Sequence, residues 1–388
     1  MEYRFSDKIA SLKPSAIREV LKATSVPGMI PFAAGNPAPD AFPVAEVQEI
    51  AADILKNRPI DALQYGVTEG YPELISLIKT RMKSKYGIGR DFDSIIITSG
   101  AQQVMDLSTK VLCNEGDVVI CESPSFIGSL NCFRSYNAKL VGVPVDADGM
   151  NIEALEKALD ENPNAKMIYT IPNFQNPAGV TMSLEKRRKL YELAKAHNVM
   201  ILEDNPYGDL RVAGEDVPNI KSFDEDGIVI YSGSFSKITV APAPVVAKMT
   251  VGKQAVDVHT TQLMQMIVAE WMKRYDVDEH IEKIRKIYRR KLNLMCDMID
   301  SELGDAVSYV RPEGGLFIWC ELPEDVDALE FVKKSAENMV ALVPGTAFLT
   351  DVNGKSNAVR FNFSTPADDK IVEGMKILGR VLKEMRGE

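Results

Sequence analysis

The chain has 388 residues, a length at which a single hydrophobic core usually gives way to two domains. Its composition, 45% hydrophobic and 26% charged, is typical of a soluble globular enzyme. The formal net charge of −10 argues against a nucleic acid or an anionic membrane surface as the partner, because phosphate groups require a basic face. A small-molecule substrate is therefore favoured.

Residues 1–43 are predicted to form an arm rather than a core. A short helix over residues 14–22 carries Arg18, which this pattern alone would place on an exposed helix face. The following segment, residues 30–37, contains two prolines and Gly35, which favour extended or turning backbone. Such a segment is suited to lining a pocket.

The first motif that carries chemistry is a strand that leads into a helix. Helices are predicted at residues 46–56 and 72–86, with Tyr65 in a glycine-punctuated loop between them. An apolar strand at residues 94–98 then runs into a turn and a helix that continues to Leu112. The turn consists of Ser99, Gly100, Ala101 and Gln102. Free amide groups at a helix N-terminus favour anions, so this turn is a candidate phosphate site.

Strands and helices continue to alternate after this turn. Strands are predicted from Val118 and Val199 and over residues 139–145 and 166–171, and helices over residues 151–161 and 184–198. The strand ends lead to Phe126, which could stack on a flat ring or simply pack in the core, and to Asn176 and Tyr207. Asp204 could pair with a protonated ring nitrogen or merely cap a turn. Alternation over about 150 residues predicts a doubly wound, mainly parallel sheet.

The segment from Ser232 to Lys237 places hydroxyl groups and a lysine after another apolar strand, residues 228–230. A lysine there could form a Schiff base with an aldehyde cofactor, and the hydroxyls of Ser234 and Ser236 could hydrogen-bond a phosphate. The carboxyl edge of an open α/β sheet is where ligands bind. Taken alone, the segment fits a solvated loop at least as well.

The rest of the chain has an α+β pattern, which predicts a second domain. Helices are predicted over residues 278–303 and 328–338 and from residue 368, and strands over residues 306–311, 315–322, 340–343 and 358–363. We therefore divide the chain into an N-terminal arm, residues 1–43, that joins the small domain, a large domain, residues 44–270, and a small C-terminal domain, residues 271–388.

Cysteine and histidine spacing gives no sign of a structural site. The five cysteines lack CxxC spacing and the three histidines lie far apart, so neither a disulfide framework nor a metal site is predicted. Small core residues in a reducing cytosol are the favoured interpretation. The N-terminus lacks a signal-peptide profile, and no apolar run approaches the ~20 residues that span a bilayer. A cytoplasmic location is expected.

The strand-end residues and four motifs together resemble those of a known family. The motifs are Ser15-Ala16-Ile17-Arg18-Glu19, Gln64-Tyr65-Gly66, Phe174-Gln175-Asn176-Pro177-Ala178-Gly179 and Pro312-Glu313-Gly314-Gly315-Leu316-Phe317-Ile318-Trp319. Over almost its whole length the chain resembles the class I/II aminotransferases of the fold-type-I pyridoxal-phosphate enzymes, and it looks closest to the 2-aminoadipate and kynurenine aminotransferase subgroup. The resemblance implies a three-layer α/β sandwich, a smaller α+β domain and pyridoxal 5′-phosphate as cofactor.

The resemblance also implies a role for each residue at the cofactor ring. Lys237 would hold the cofactor covalently and move the substrate proton, and Asp204 would pair with the pyridinium nitrogen. Asn176 and Tyr207 would hydrogen-bond the 3-oxygen of the ring, and Phe126 would stack on its face.

The cofactor phosphate and the substrate have implied partners too. The phosphate would lie on the turn formed by Ser99, Gly100, Ala101 and Gln102, together with Ser234 and Ser236. Tyr65 would reach the phosphate of a neighbouring subunit, which implies a homodimer. Arg360 would clamp the substrate α-carboxylate beside Asn176, and Gly35 and Arg18 would also face the substrate.

The chain departs from the family pattern after Lys237. The pattern continues through Ala-Pro-Gly or Ala-Pro-Ala into Leu-Arg-x-Gly, whereas here Ala243 is followed by residues 244–248 without it. About ten residues, with a phosphate-binding arginine and an antiparallel strand, are predicted to be absent. Losing one charge-assisted bond of ~1.5–3 kcal/mol would weaken cofactor binding by about one to two decades. Lys248 and Lys253 are candidate substitutes, but both are predicted on a solvated helix face.

One hypothesis is that the purified protein carries this segment, and an intact mass equal to that of the printed sequence would contradict it. The expected activity is transfer of an amino group from an L-amino acid to a 2-oxo acid such as 2-oxoglutarate by a ping-pong route. Donors of the 2-aminoadipate, aromatic and branched-chain types are all admissible. The alternatives are C–S β-elimination or decarboxylation at the same cofactor, a non-catalytic ligand-sensing domain, and a silent protein if the segment is truly absent.

Overall fold

The computed structural model describes residues 3–10, 26–233 and 238–388. The predicted helix at residues 14–22, with Arg18, lies outside these ranges. So do the predicted site residues Ser234, Ser236 and Lys237.

Helices and strands alternate along most of the chain. The α-helices are α1 (Asp7–Ala10), α2 (Val44–Asn57), α3 (Pro59–Leu63), α4 (Pro72–Tyr86), α5 (Ala101–Leu112), α6 (Ile127–Ser135), α7 (Ile152–Glu161), α8 (Leu184–Ala196), α9 (Ala243–Gln254), α10 (Gln262–Arg274), α11 (Val277–Glu302), α12 (Ala328–Glu337) and α13 (Asp368–Arg386). The strands are β1 (Ile30–Pro31), β2 (Asp93–Ile97), β3 (Val118–Ser123), β4 (Lys139–Asp146), β5 (Gly149–Met150), β6 (Ala165–Thr170), β7 (Met200–Asn205), β8 (Val229–Gly233), β9 (Ile238–Pro242), β10 (Ser308–Tyr309), β11 (Phe317–Glu321), β12 (Val340–Ala341), β13 (Val343–Pro344) and β14 (Ala358–Asn362).

The main sheet has eight strands in the order β2-β9-β8-β7-β6-β3-β4-β5. Strands β3, β4, β6, β7 and β8 run parallel, so β3, β6, β7 and β8 all end at one edge. Helices cover both faces of this sheet, which explains why its central strands read as nearly continuous apolar runs. The predicted doubly wound, mainly parallel sheet is confirmed.

Alternate residues of each strand pack into different layers. Val119 and Cys121 belong to the core beneath α5, α6 and α9, whereas Val118 and Ile120 belong to the core beneath α7 and α8. Helix α7 begins with a side-chain cap: the Asn151 side chain accepts a hydrogen bond from the Ala154 amide. This layering fixes which residues of β3, β6 and β7 can meet at the carboxyl edge.

Strand β9 is antiparallel to both of its neighbours. Ile238 is the register partner of Ile97 on β2 and of Gly233 on β8, so β9 occupies the space between them. The prediction that the chain lacks an antiparallel strand here is therefore wrong. The five residues that follow Lys237 form this strand and pair with both β2 and β8.

The C-terminal residues build a smaller antiparallel sheet, in the order β10-β11-β14-β13, against α11, α12 and α13. The N-terminal segment reaches this region, because β1 pairs in parallel with β12. The boundaries at residues 43/44 and 270/271 stay predictions. Among the described residues, no helix is long and apolar enough to cross a membrane.

Candidate active site

A buried carboxylate lies at the carboxyl edge of the main sheet. Asp204, near the end of β7, is only 2% exposed, and its Oδ2 accepts a hydrogen bond from the Tyr169 hydroxyl at 3.1 Å. The Ser129 hydroxyl donates to the same Tyr169 oxygen at 2.9 Å. Burial and the charge of Asp204 raise the pKa of Tyr169, so the phenol stays a neutral donor. A carboxylate fixed in this way could hold a protonated ring nitrogen.

Asn176 connects a tyrosine of the large sheet to an arginine of the small one. Its Nδ2 donates to the Tyr207 hydroxyl at 3.4 Å, and its Oδ1 accepts from Arg360 Nη1 at 2.9 Å. Loss of solvent raises the pKa of Tyr207 to about 12, with Asp204 acting in the same direction. Asn176 and Arg360 are 184 positions apart, and the fold brings them together.

Arg360 is a buried cation without a carboxylate partner among the described residues. Its guanidinium lies 4.0 Å from the ring centre of Phe317 and 4.8 Å from that of Phe348, and its Nη2 donates to the Ala33 carbonyl at 2.8 Å. Its Nε has no hydrogen-bond partner within the described ranges. Burial lowers the pKa of Arg360 to about 10, so the group is still charged at neutral pH. Such a cation is costly unless it receives an anion, and a ligand carboxylate matches its fork.

Gly35 leaves room for the Phe317 ring beside the Arg360 guanidinium. A Cβ added at Gly35 would lie 2.8 Å from Cζ of Phe317, closer than van der Waals contact permits. The absence of a side chain at Gly35 therefore lets Phe317 lie over the Arg360 guanidinium. The predicted site residues Tyr207, Asn176, Arg360 and Gly35 thus belong to one connected group, and the charge of Asp204 acts on Tyr207.

The turn before α5 forms the second part of the site. Gly100, the N-cap residue of α5, has φ +79°, a conformation that favours glycine, and as a glycine it has no side chain with which to cap the first turn. The amide groups of Ala101 and Gln102 are therefore available to an anion. The Gln102 side chain donates to the Gly128 carbonyl at 2.8 Å, which ties this turn to the start of α6 just after Phe126.

Lys253 supports this turn through hydrogen bonds to residues that also bond Ser99. The prediction that Lys253 lies on a solvated helix face is wrong. Its side chain is fully buried, and its Nζ lies 2.7 Å from Asp257 Oδ1, 3.0 Å from Gln103 Oε1 and 3.1 Å from Thr260 Oγ1. Ser99 bonds to the same group, through its amide to Gln103 Oε1 and through its hydroxyl to Asp257.

The burial of Lys253 follows from helical spacing. Val246 and Met249, seven and four residues earlier on α9, both lie in the core against α5, so Lys253 shares their face. Burial lowers the pKa of Lys253 and Asp257 opposes that shift. Lys248, in contrast, is exposed as predicted.

Tyr65 is largely exposed within this chain. Its side chain is 80% exposed, and its ring meets the His259 ring edge-to-face with centres 5.6 Å apart. Phe126 is partly buried against the cluster that includes Ala33 and Phe348. Within the described ranges, no group of three or more His, Cys, Asp or Glu side chains is placed to hold a metal ion.

Comparison with known proteins identifies the family. The sequence model described as Aminotransferase class I and II matches residues 27–376. The chain belongs to the class I and II aminotransferases. Pyridoxal 5′-phosphate is the cofactor of this aminotransferase, as predicted, and the residues above fit it, since they offer a buried carboxylate, a helix N-terminus whose N-cap is a glycine, and a buried arginine whose fork matches a carboxylate.

Individual relatives match this aminotransferase over nearly its full length. The aromatic-amino-acid aminotransferase 1 of Thermococcus litoralis is 39% identical over 396 residues, which cover 99% of this chain and 95% of the relative. The solved structure of a multiple substrate aminotransferase from Thermococcus profundus has a TM-score of 0.94 at 35% identity and covers 99% and 98% of the two chains. That of the α-aminoadipate aminotransferase from Thermus thermophilus, complexed with N-(5′-phosphopyridoxyl)-L-leucine, has a TM-score of 0.91 at 34% identity, with 99% and 98% covered. The fold-type-I architecture is confirmed.

The aminotransferase also contains a buried acid that sequence reasoning missed. Glu122, near the end of β3, is 1% exposed and accepts hydrogen bonds from the Thr170 hydroxyl at 2.7 Å, the Ile171 amide at 3.1 Å and Gln175 Nε2 at 3.1 Å. Burial raises the pKa of Glu122 to about 7, and the charge of Asp204 acts in the same direction. The sequence feature that could have indicated Glu122 is its position as an acid at the end of an apolar run.

Replacing Glu122 by glutamine is expected to stabilise this aminotransferase at pH 8 but not near pH 4.5. The unfolded carboxyl group, with its ordinary pKa near 4.5, loses its proton before the folded one does, so wild-type stability falls as pH rises from 4.5 to about 7. The full loss is about 3 kcal/mol, at 1.36 kcal/mol per pKa unit. The amide cannot ionise and avoids this loss. Melting temperatures of both proteins between pH 5 and 8 test the prediction, and parallel curves would contradict it.

Proposed function

We propose that this aminotransferase moves an amino group from an L-amino acid to a 2-oxo acid such as 2-oxoglutarate. The observation that carries the proposal is the chain of contacts from Arg360 through Asn176 to Tyr207. Arg360 would be a carboxylate receptor, and these contacts connect it to Tyr207, the group that would meet the cofactor ring. Amino acids and 2-oxo acids both carry the required carboxylate, so one site would accept them in turn, which supports a ping-pong route.

The side chains around the ring have distinct proposed tasks. When bound, pyridoxal phosphate takes up the electron pair that remains when the substrate Cα loses its proton. Asp204 keeps a proton on the ring nitrogen, and Tyr207 and Asn176 hydrogen-bond the 3-oxygen. Lys237 would accept the proton from the substrate Cα and deliver it to C4′ of the cofactor. Arg360 holds the carboxylate so that the Cα–H bond keeps one orientation.

The phosphate group is proposed to lie over the turn before α5. The amides of Ala101 and Gln102 and the hydroxyls of Ser234 and Ser236 would bind its oxygens, with Ser99 and Gly100 shaping the turn. Lys253 would keep the turn in place through Gln103 and Asp257. Phe126 would cover the ring face.

A homodimer belongs to the same proposal. Ile60, Leu63 and Tyr65 are 71%, 72% and 80% exposed in the isolated chain, an apolar surface that a second copy would cover. Tyr65 would then reach the phosphate of the partner subunit. A cytoplasmic location is also proposed, on the basis of composition.

The amino donor is proposed to be of the aromatic, 2-aminoadipate or branched-chain type. The names of the Thermococcus litoralis and Thermus thermophilus relatives support the first two types. Arg18 would face acidic side chains. A panel of donors with 2-oxoglutarate as acceptor tests this, and absence of amino transfer from every donor would defeat the proposal.

Covalent labelling of Lys237 is the direct test of the site. The intact mass of the protein, incubated with pyridoxal phosphate and then treated with or without borohydride, is expected to rise by one reduced cofactor, and peptide mapping is expected to locate it on Lys237. The untreated sample should also show whether the chain exceeds 42.9 kDa by the segment with the Leu-Arg-x-Gly motif. A mass of 42.9 kDa without an adduct would mean a disabled site.

A further inference from the structure

The loop that carries Asn176 is held by the residue next to it. This loop, residues 172–180, has Gln175 at its centre, and both ends of the Gln175 side chain are used. Its Oε1 accepts from the Ala178 amide at 2.7 Å, and its Nε2 donates to the Pro124 carbonyl at 2.8 Å. Its backbone also bonds Val180. The position of Asn176 therefore depends on that of Gln175.

Glu122 anchors Gln175 to the sheet. One Glu122 oxygen, Oε2, accepts both from Gln175 Nε2 and from the amide of Ile171, where the loop leaves β6. The other oxygen, Oε1, lies 2.7 Å from the Thr170 hydroxyl. Glu122 thus contacts Thr170 and Ile171, just before the loop, and Gln175 within it, one residue from Asn176.

The environment of Glu122 differs from that of the other deeply buried acid on the same face of the sheet. Burial raises the pKa of Glu203 as well, but the charges of Arg187 and Lys221 oppose that shift, and Glu203 accepts hydrogen bonds from the Ile220 and Lys221 amides. No salt bridge joins Glu122 to a cation within the described part of the chain, and the nearby charge of Asp204 disfavours its ionisation.

A neutral Glu122 satisfies every one of these contacts. A proton on Oε1 can be donated to the Thr170 hydroxyl oxygen, while Oε2 still accepts from Ile171 and Gln175. A glutamine at this position reproduces the same pattern, with its NH₂ group towards Thr170 and its oxygen towards the two donors. An alanine removes all three bonds and leaves the Ile171 amide buried without its partner.

We propose that Glu122 is a positioning residue for the substrate carboxylate: through Gln175 it holds Asn176 in the place where Asn176 orients the Arg360 guanidinium. This inference rests on the proposed role of Arg360. Glu122 does not touch the substrate, and its effect passes through the loop of residues 172–180.

The test measures binding of two carboxylates that lack an amino group, 3-phenylpropanoate and glutarate, to the cofactor-loaded enzyme by calorimetry. Glu122→Ala is expected to weaken binding of the better ligand by about 10-fold or more, whereas Glu122→Gln should stay within about threefold of wild type. The KM for the amino donor should rise with the dissociation constant in the alanine variant. If Glu122→Gln retains the affinity that Glu122→Ala loses, the hydrogen bonds of residue 122 are required and its charge is not.

Two further variants make the test specific. Gln175→Ala should weaken carboxylate binding as much as Glu122→Ala, and the double variant should be no worse than either, because both break one connection. Glu203→Ala removes an equally buried acid whose hydrogen bonds go to the Ile220 and Lys221 amides and not to Gln175. It should leave carboxylate affinity within about twofold of wild type even where it lowers the melting temperature.

The outcomes distinguish the inference from the function on which it rests. Unchanged affinity in Glu122→Ala, or equal losses in Glu122→Ala and Glu203→Ala, would overturn the positioning role. Failure of Glu122→Gln to restore affinity would overturn the neutral hydrogen-bond pattern and the role with it. If the Arg360→Leu variant still bound both carboxylates, or if the wild-type enzyme bound neither, the proposed role of Arg360 as the carboxylate receptor would be wrong instead.

Discussion

Arg360→Leu is expected to lower kcat/KM for the amino donor by roughly 30-fold to several thousand-fold, the equivalent of 2–5 kcal/mol. The guanidinium is buried between Phe317 and Phe348, so a carboxylate there would gain a charge-assisted pair that water does not screen. Leucine removes the charge and also leaves the Asn176 oxygen without its 2.9 Å donor. Steady-state kinetics with the best donor of the panel measures the loss.

Lysine at the same position is expected to recover only part of the activity. A lysine keeps the charge but cannot bond Asn176, Ala33 and a carboxylate with one planar fork. Arg134→Leu serves as the matched control, because Arg134 also bridges to the C-terminal part of the chain, through the Leu349 and Thr350 carbonyls, but lies outside the site. If Arg360→Leu kept kcat/KM within threefold of wild type, or if Arg134→Leu lost as much, the substrate role of Arg360 would be wrong.

The large sheet was predictable because its strands are local patterns. Strands such as β3 and β6 are apolar runs bounded by turn formers, and parallel strands put their carboxyl ends at one edge whatever their order. That rule was enough to predict that Asp204, Asn176 and Phe126 lie at the same edge of the sheet. It did not give the strand order, which depends on pairing between distant segments.

The region after Lys237 shows where motif comparison misleads. The absence of the Leu-Arg-x-Gly motif predicts the loss of a strand, yet Ile238–Pro242 pairs along its whole length with β2. Strand pairing needs a short alternating segment and two free edges, and no particular motif is required. In a similar way, Lys253 was assigned to solvent by residue type, although its spacing from Met249 places it on the buried face of α9.

The supporting contacts of the site were beyond sequence reasoning for a different reason. Glu122 meets Gln175 across 53 positions, and Arg360 meets Ala33 across 327. The periodicity of a helix or a strand does not predict contacts between residues so far apart in the sequence. From the sequence alone, a buried acid near the end of an apolar run cannot be distinguished from an exposed one. The proposed role of Arg360 rests on resemblance, and that of Asp204 rests on its place at a strand end and on resemblance. Their contacts with Tyr169, Phe317 and Phe348 are visible only in the fold.

Asp204→Asn is expected to lower kcat by about 10²–10⁴-fold, since removing one member of a buried charge pair costs about 3–5 kcal/mol. The amide has the same shape and can still accept from the Tyr169 hydroxyl, so the change isolates the negative charge. Without it, the ring nitrogen is no longer held protonated and withdraws electrons less well from the substrate Cα. Single-turnover reactions with the amino donor, followed by cofactor absorbance, report this step.

Asp209 offers a closely matched control for Asp204. Its two oxygens lie 2.7 and 2.8 Å from the Tyr86 hydroxyl, so it forms a second tyrosine–aspartate pair five residues further along the chain. Because Asp209 pairs with Lys85 at 3.4 Å and lies in a 3₁₀ turn after the strand edge, Asp209→Asn should change the single-turnover rate by less than about threefold. Equal rates in Asp204→Asn and wild type would show that the charge at Asp204 does not act on the ring. A large loss in Asp204→Asn alone would locate the effect at the end of β7, where the fold buries one carboxylate against Tyr169 and directs it to the carboxyl edge of the sheet.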